Sequence, residues 1–372
     1  MSVRTLSERE LNRATLDRQL LLRRSEMDAA QAVEHLVGLQ TQIPPNHYVA
    51  LWSRLTDFDP QGFSQRFQDR EFVRISLQRS TIHTVTARDC LPLRGLLQPV
   101  QERSLKGAFG KRLQGIDLAE LAQCARESAE QEPYTLNDLG KLLAESYPGH
   151  DVQALAAAAR NNLALVQVTP RGLWQQGGQA KHTTAEHWLG NAKAVPAMQA
   201  EELVLRYLTA FGPASVMDAQ SWSGLTGLRE VFEKLRADLV VFQSESGTEL
   251  FDLPDAPRPG EDVPAPARFL PDYDNVFIGH KERGRINDPR VPKEKVFAGN
   301  TPISTFTVDG WIRGVWKVET DRKRTTGTMN LTPLVAVTKA QRTDLESEGA
   351  RLLEFLVPGA DHDVRWLEDE NG

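Results

Sequence analysis

The feature that most constrains the fold is an order of elements that recurs three times: helices, then two short strands joined by a turn. The middle copy is the clearest. Thr135, with Asp138 three residues later, predicts a helix start, and leucines follow at helical spacing. A second helix is predicted after Asp151. The stretches "ALVQV", "TPRG" and "LWQQ" then predict a strand, a turn and a returning strand. This order is typical of a winged helix.

The other two copies follow the same order. In the third, "QAEELVLRYLTAFG" predicts a helix ending at Gly212, Ser215 and Thr226 are predicted caps, and "DLVVFQ" and "TELFDL" predict a hairpin. The first copy is larger, with strands predicted at "FVRISL" and "TIHTVT". Its helices are predicted at residues 7–23, 28–40, 47–55 and 60–68. We therefore predict an α+β fold with three tandem winged-helix units.

The chain after Pro254 has a different character. A Pro-rich acidic loop leads into strand-like runs, and the Asp309-Gly310 pair predicts a hairpin turn between two of them. "DRKRTTG" is predicted to join two long strands through a basic tip, and "KAQRTDLESEGARLLEFL" predicts a final helix. The predicted domains are winged helix 1 at 1–130, winged helix 2 at 131–196, winged helix 3 at 197–256, and a β-rich region, a small barrel or sheet, at 257–372.

Bulk properties exclude several classes of protein. No run of 18 apolar residues predicts a membrane span, and the charged start "MSVRTLSERELNR" lacks the apolar core of a secretory signal. Cys90 and Cys124 form no CxxC pair, so two reduced thiols are expected. The net charge of −6 argues against nonspecific coating of nucleic acid, although clustered arginines and lysines can still form a basic trough.

Motifs for common cofactor and metal chemistry are missing. The sequence has no GxxxxGK[ST], no GxGxxG after a strand, no HExxH and no GxSxG. His182 and His187, with Glu186 between them, are the one suggestive pair. No ligand set completes that pair, and a solvated loop is the favoured interpretation of "KHTTAEHW". We predict no cofactor and no metal.

Two glutamines stand out in "GLQTQIPPNHY". Pro44 disfavours helical backbone at Ile43, so the preceding helix is predicted to end near Gln40 or Thr41. In an extended exit segment, Gln40 and Gln42 would share a face and turn Thr41 away. Two amides can hold one water and place oxygens near a developing positive charge, but they cannot act as Brønsted bases. The residues alone favour the alternative that both amides satisfy backbone groups at a helix end.

Several spaced stretches together resemble the winged-helix DNA glycosylases of the AlkZ/YcaQ-like group. These are "LNRATLDRQLLLRR", "AVEHLVGLQTQIPPNHYVALWSRL", "VRISLQRSTIHTVTARD", "LPDYDNVFIGHKERGRI" and "VDGWIRGVW". The resemblance implies three tandem winged helices and a β-rich part in a C-shaped DNA-binding body. It implies excision of bulky N7-alkylated guanine, including interstrand crosslinks, and self-resistance to a genotoxic natural product.

The resemblance also implies roles for individual residues. The group's catalytic Gln-aliphatic-Gln motif matches Gln40 and Gln42, with Thr41 as a departure at the middle position. The hairpin that the group inserts into DNA corresponds by position to the basic tip in "DRKRTTG". "QRSTIH" provides candidate lesion or DNA contacts, and His83 as buried scaffold is an equal alternative. The residues implied to bind DNA are Arg322, Lys323, Arg324, Arg79, Thr81 and His83.

The expected partner is double-stranded DNA carrying alkylated guanine. A cytoplasmic monomer acting at the bacterial nucleoid is expected, with no membrane and no obligate protein partner. Two other functions stay open at this stage. A non-catalytic DNA-binding protein, either a regulator or a lesion shield, would bind without base release. A winged-helix scaffold for protein partners would lack salt-sensitive affinity for DNA.

Overall fold

The structure is a computed structural model that describes residues 3–190, 195–298 and 301–368. It shows the predicted mixed α+β class, with helices and several separate sheets. Among these residues, no helix combines the length and apolar character needed to cross a bilayer. The elements up to Gln131 are β1 (Thr5–Leu6), α1 (Glu8–Arg18), α2 (Ala29–His35), β2 (Leu39–Gln40), α3 (Asn46–Arg54), α4 (Pro60–Gln68), β3 (Phe72–Ser76), β4 (Ile82–Thr86), α5 (Ala87–Leu96), α6 (Gln98–Phe109) and α7 (Leu118–Gln131).

Two predicted helices of this part end earlier than expected. A capping box at Ser7 and Glu10 begins α1, but Leu20 takes a left-handed φ of 58°, which stops the helix before residue 23. Helix α2 ends at His35, so its predicted extension to residue 40 is wrong. Val37 and Gly38 have φ of 55° and 88°, and this left-handed pair reverses the chain into β2. Gly38 is required because a Cβ there would lie 2.7 Å from Val85 Cγ1.

The middle of the chain has the two predicted helices but a different second strand. Its elements are β5 (Tyr134–Thr135), α8 (Leu136–Ser146), α9 (Val152–Asn162), β6 (Leu165–Gln167), β7 (Lys181–Thr184) and α10 (Ala185–Leu189). The prediction of a returning strand at "LWQQ" is wrong. Buried Leu173 packs with the aromatic cluster of α3 and α4, and the Trp174 N–H donates to Ser64 Oγ (2.9 Å). The strand of this unit that pairs antiparallel with β6 is β7, and β6 also pairs antiparallel with β3.

The third predicted hairpin is confirmed. The elements here are α11 (Ala200–Phe211), α12 (Val216–Ser223), α13 (Leu228–Leu235), β8 (Val240–Ser244) and β9 (Glu249–Asp252), and the two strands pair antiparallel. Helix α11 ends at Phe211, and Gly212 follows as its cap residue in extended conformation, with φ of −66°. One detail differs from prediction. Thr226 does not cap α13, because Gly227 holds the cap position and Gln220 Oε1 accepts from the Leu228 N–H (3.0 Å).

The C-terminal region contains the predicted strands, basic tip and final helix. Its elements are β10 (Arg268–Leu270), α14 (Asn275–Ile278), α15 (Lys293–Val296), β11 (Phe297–Ala298), β12 (Thr301–Pro302), β13 (Thr305–Val308), β14 (Trp311–Thr320), β15 (Thr326–Pro333), α16 (Lys339–Leu356) and β16 (Asp361–Trp366). Asp309 and Gly310 form the predicted turn, with φ of 48° and 79°. Five strands form one sheet in the order β10-β13-β14-β15-β16.

Strand pairing joins parts of the chain that the sequence analysis treated separately. A six-stranded sheet has the order β2-β4-β3-β6-β7-β5, so strands of the first and second predicted units are continuous. Strand β1 pairs parallel with β8 of the third hairpin. In addition, Arg54 of α3 and Asp274 form an ion pair (2.7 Å) in which neither side chain is exposed. The part of the chain from β2 to β4 is therefore held against both the second unit and the C-terminal region.

Candidate functional site

Gln40 lies on β2, at one edge of the six-stranded sheet. It is paired with His83 of β4 on its inner side. On its outer side the Gln40 N–H donates to Asn275 Oδ1 (3.1 Å), and Asn275 Nδ2 donates to the Gly38 carbonyl (2.7 Å). The short strand is therefore held from both sides, which fixes the backbone that carries the first glutamine.

The side chain of Gln40 is 6% exposed and bound to Arg79. Arg79 Nη2 donates to Gln40 Oε1, and its Nη1 donates to the Trp222 carbonyl on α12. Arg79 and Ser80 have consecutive left-handed φ values of 54° and 60°, which cost energy for residues other than glycine. Burial lowers the pKa of Arg79 to about 10, so its guanidinium stays charged at neutral pH. The strained turn thus aims a cation at the Gln40 amide.

Gln42 is exposed, and Thr41 between the two glutamines points inward. The Thr41 hydroxyl is hydrogen-bonded to the Thr84 hydroxyl (2.9 Å), and its carbonyl accepts from Arg74. Gln42 Oε1 accepts from the Ile82 N–H (3.0 Å). Both glutamine side chains, two positions apart in the chain, therefore contact the same stretch, residues 79–82. Their carboxamides do satisfy other groups, as one alternative expected, but at a sheet edge rather than a helix end.

The remaining residues of "QRSTIH" form the support of this segment. Thr81 Oγ1 donates to the Gln78 carbonyl (3.0 Å), and His83 Nδ1 lies 3.0 Å from the Thr81 carbonyl oxygen. His83 is only 2% exposed, which fits the buried-scaffold alternative. Burial, with a smaller effect of the Arg79 charge, lowers the pKa of His83 to about 3. His83 is therefore neutral at physiological pH.

The two amides have a defined chemical capacity. Each carbonyl oxygen accepts one hydrogen bond, from a guanidinium or from a backbone N–H, and retains a second lone pair. Each amide NH₂ remains a donor. Neither group gains or loses a proton near neutral pH. The arrangement can position water and stabilise positive charge, and it suits a reaction whose leaving group needs no general acid.

The basic tip is a separate part of the candidate site. Arg322, Lys323 and Arg324 are exposed in the turn between β14 and β15. Arg324, with φ of 56°, donates to the Leu356 carbonyl at the end of α16 (2.6 Å). Within residues 3–190, 195–298 and 301–368, no hydrogen bond or ion pair links the tip to Gln40 or Gln42.

A carboxylate organises this tip from within. Asp321 accepts from the backbone N–H groups of Thr326 (2.7 Å) and Lys323 (3.0 Å) and from the Thr325 hydroxyl (3.0 Å). These hydrogen bonds, that of the Thr326 N–H above all, lower the pKa of Asp321 to about 2. The carboxylate is therefore ionised at neutral pH, and it supports the shape of the turn together with the hydrogen bond from Arg324 to the Leu356 carbonyl.

Comparison with known proteins gives the site its context. A family model described as DNA glycosylase AlkZ-like matches residues 33–355, which is most of the chain. The chain belongs to the AlkZ-like DNA glycosylase family. This confirms the predicted family and assigns the chain to an enzyme class, with DNA as the partner. The matched range includes both glutamines, the supporting "QRSTIH" turn and the basic tip.

A solved structure agrees with the AlkZ-like fold. The DNA glycosylase AlkZ of Streptomyces sahachiroi superimposes with a TM-score of 0.79 and 18% sequence identity. The match covers 98% of this chain and 100% of that one. At this identity the likeness concerns the fold. A search of curated protein sequences found no significant match.

Sequence reasoning missed two features beside the candidate site. Asn275 lies in the "LPDYDN" stretch, which carried the resemblance but suggested no role. The second is a cavity of about 390 Å³ beside Gln42, whose walls include Arg160, Gln167 and His182. The solvated-loop interpretation of "KHTTAEHW" is wrong, because these residues form β7 and α10 and His182 is 3% exposed. No group of three or more potential metal ligands occurs in the described part of the chain.

Proposed function

We propose that this family member hydrolyses the N-glycosidic bond of bulky N7-alkylguanine adducts in double-stranded DNA and leaves an abasic site. Alkylation at N7 makes the base cationic and weakens its bond to the sugar, so departure needs no general acid. Positive charge then develops on the sugar, and interactions made only with that charge accelerate the reaction. Gln40 and Gln42 supply such interactions and hold the attacking water.

The observation that carries this proposal is the fixation of both amides. Arg79 orients the Gln40 carboxamide, and the Ile82 N–H orients that of Gln42. A free lone pair on each oxygen is therefore presented without reorganisation during the reaction, which is the condition for electrostatic stabilisation. "GLQTQIPPNHY" contains no lysine, so a Schiff-base lyase step has no nucleophile within this segment, and a monofunctional hydrolysis follows.

The remaining predictions complete the proposal. Three winged-helix units with the boundaries given above, and the β-rich region, would form a C-shaped body around DNA. Arg322, Lys323 and Arg324 would enter a groove, because a narrow cationic hairpin can follow a phosphate row. Thr81 and His83 would support a lesion contact near Arg79. The substrates would include interstrand crosslinks, and the enzyme would act as a cytoplasmic monomer on nucleoid DNA, protecting the cell from a genotoxic product.

The test is base release from duplexes with a single N7-guanine adduct, ranging from methyl to large intercalating groups. Abasic product is measured by alkaline strand cleavage, and binding by fluorescence anisotropy. We expect wild-type protein to release the base, and Gln40→Ala/Gln42→Ala to lower the rate at least about 100-fold with binding retained. Gln65→Ala/Gln68→Ala, two exposed positions on α4, is the matched control. Full activity of the Gln40/Gln42 variant would show that neither glutamine is needed for catalysis. Tight adduct binding without base release by the wild type would favour the lesion shield.

A further inference from the structure

Arg283 is a half-buried cation close to the candidate site. It follows α14, and its Nη1 donates to the Phe277 carbonyl of that helix (3.2 Å). The same short helix carries Asn275, whose side chain accepts from the Gln40 N–H. The pKa of Arg79 is lowered first by burial and then by the charge of Arg283, so the two guanidinium groups are near each other. A single helical turn therefore links Arg283 to the strand that carries the first glutamine.

No carboxylate neutralises Arg283 within the described part of the chain. Its guanidinium donates to the Phe277 carbonyl, and its Cζ lies 4.8 Å from the centre of the Phe297 ring. Burial lowers the pKa of Arg283, and no acidic side chain opposes this shift. By contrast, Arg54 is buried in an ion pair with Asp274 (2.7 Å). Since partial burial of an uncompensated cation costs free energy, Arg283 is suited to an anionic partner from outside the chain.

A second cation lies over the same aromatic ring. Lys293 is exposed on α15, with its Nζ 5.8 Å from the centre of the Phe297 ring. The charges of Lys293 and Arg283 are thus no farther apart than the sum of their distances to the ring centre. Among the described residues, Lys293 has no ion-pair partner either. Like charges held this close repel each other, and an anion bound beside them would relieve the repulsion.

The unused donors of Arg283 are accessible from solvent. Its Nε and Nη2 donate to none of the described residues. Unlike Arg54 Nε, which is buried without a partner, neither atom is sealed inside the protein. The Nε and Nη2 edge of a guanidinium presents two parallel N–H groups, a geometry that matches two oxygens of one phosphate. Arg283 and Lys293 therefore form a surface that fits a phosphate group.

We propose that Arg283, with Lys293 beside it, binds a phosphodiester group next to the modified nucleotide, on the strand that carries the lesion. Arg283 Nε and Nη2 would donate to the two non-bridging oxygens, and the Phe297 ring would support the guanidinium plane. Because α14 connects Arg283 with Asn275, a phosphate bound there fixes the distance between the adjacent sugar and Gln40. The inference rests on the proposed function, since it takes this sugar as the one on which Gln40 acts.

The experiment removes single charges from the protein and from the DNA together. Each duplex carries a tetrahydrofuran abasic-site analogue, which cannot be cleaved, and one neutral methylphosphonate in place of a phosphate flanking the analogue or a distant one. Affinity is measured by fluorescence anisotropy. For wild-type protein, we expect the methylphosphonate at one flanking position to weaken binding about tenfold, the value of one hydrogen bond to a charged group. For Arg283→Gln, the same methylphosphonate should change affinity less than about twofold, because the contact is already lost.

Arg290→Gln is the matched control. Arg290 lies in the same segment and carries the same charge, but it forms an ion pair with Asp288 (2.8 Å). This variant should retain the full effect of the flanking methylphosphonate. Thermal denaturation establishes that both variants are folded. The inference would be overturned if neither flanking methylphosphonate weakened binding of the wild type, or if the effects were equal for wild type and Arg283→Gln.

A second measurement separates this inference from the proposed function. Base release from a duplex with one N7-methylguanine is measured for wild-type protein. If no base is released but Arg283 and a flanking phosphate are coupled in the binding experiment, the phosphate site is supported and the proposed function fails alone. Base release without that coupling would overturn the inference and leave the proposed function intact.

Discussion

The guanidinium of Arg79 donates to the side-chain oxygen of Gln40 and, through its other terminal nitrogen, to the carbonyl of Trp222. One side chain thus orients the first glutamine and ties it to α12, about 140 residues later in the chain. Orientation of a reacting group by a neighbour has a measurable kinetic consequence, because small misplacements lower rates strongly.

Replacing Arg79 with lysine keeps the positive charge but removes the planar guanidinium that donates to two acceptors at once. We expect the single-turnover rate of base release to fall about 10- to 100-fold while DNA affinity changes little. Arg103→Lys is the matched control, since Arg103 donates to the neighbouring Gly224 carbonyl and does not contact Gln40. A rate equal to wild type for Arg79→Lys would show that the amide orientation does not depend on the guanidinium fork.

Asn275 positions the backbone of β2 through hydrogen bonds with the Gln40 N–H and the Gly38 carbonyl. Asn275→Ala leaves the Gly38 carbonyl and the Gln40 N–H without their partner. We expect a loss of about 1–3 kcal/mol in the free energy of unfolding, measured by urea denaturation, and a lower rate of base release. Asn162→Ala, which removes a hydrogen bond within α9, should lower stability less and leave the rate unchanged. An unchanged rate for Asn275→Ala would show that base release does not depend on the hydrogen bonds that Asn275 makes to β2.

The exposed cations of the tip should make the DNA affinity sensitive to salt. Arg322→Ala/Lys323→Ala is expected to reduce the slope of log K against log[salt] by about 1.8 for two lost phosphate contacts. Arg324 is left in place because it donates to the Leu356 carbonyl. The control is Arg23→Ala/Lys339→Ala, which removes two exposed charges elsewhere. Equal salt slopes for the wild type and the tip variant would show that Arg322 and Lys323 do not contact DNA phosphates.

Asp321 permits a prediction in which charge and shape act in opposite directions. By charge alone, Asp321→Ala removes a negative group from the tip and should strengthen DNA binding. It also removes the acceptor that holds the Thr326 and Lys323 N–H groups. We expect the loss of order to dominate and affinity to fall several-fold in anisotropy titrations, since ordering a loop on binding has an entropic cost. Tighter binding of Asp321→Ala would show that tip rigidity is unimportant.

Buried histidines should make the protein acid-sensitive. Burial, above all other effects, lowers the pKa of His47 and His83 to about 3 and that of His182 to about 4. Between these values and the unfolded value of about 6.5, the unfolded chain binds more protons, so stability falls as the pH falls. Each histidine should cost on the order of 2 kcal/mol at pH 5 relative to pH 7. Urea denaturation at the two pH values measures this loss, and equal stabilities would contradict it.

Local sequence patterns were sufficient to predict most helices and strands and to identify the family. Capping residues such as Asp151 and turn residues such as Asp309 and Gly310 act through neighbouring backbone, so their effects can be predicted from sequence. Thr226 and "LWQQ" were misassigned because distant or non-adjacent groups decide there: Gln220 caps α13, and Leu173 packs against an aromatic cluster. The end of α2 depends on a left-handed Val37, which no pattern of residue types indicates.

The candidate site was likewise predictable only where neighbouring residues decide the local conformation. The spacing of Gln40 and Gln42 beside Pro44 indicated an extended segment with an inward Thr41. Nothing in the sequence placed Arg79 on Gln40, because that contact requires two consecutive left-handed residues and a tertiary partner on α12. The cavity was missed because its walls come from β6, β7 and α9, and "KHTTAEHW" lacks the alternating apolar pattern of a buried strand.

The carboxamide of Asn275 has a consequence for the whole sheet edge. It accepts from the N–H of Gln40 and donates to the carbonyl of Gly38, which are the bonds that one residue of an adjacent parallel strand would make. A single side chain thus stands in for a missing strand and closes the edge to strand addition by another polypeptide. The neighbouring side chain of Gln42, beyond the end of β2, is left exposed to solvent at this edge.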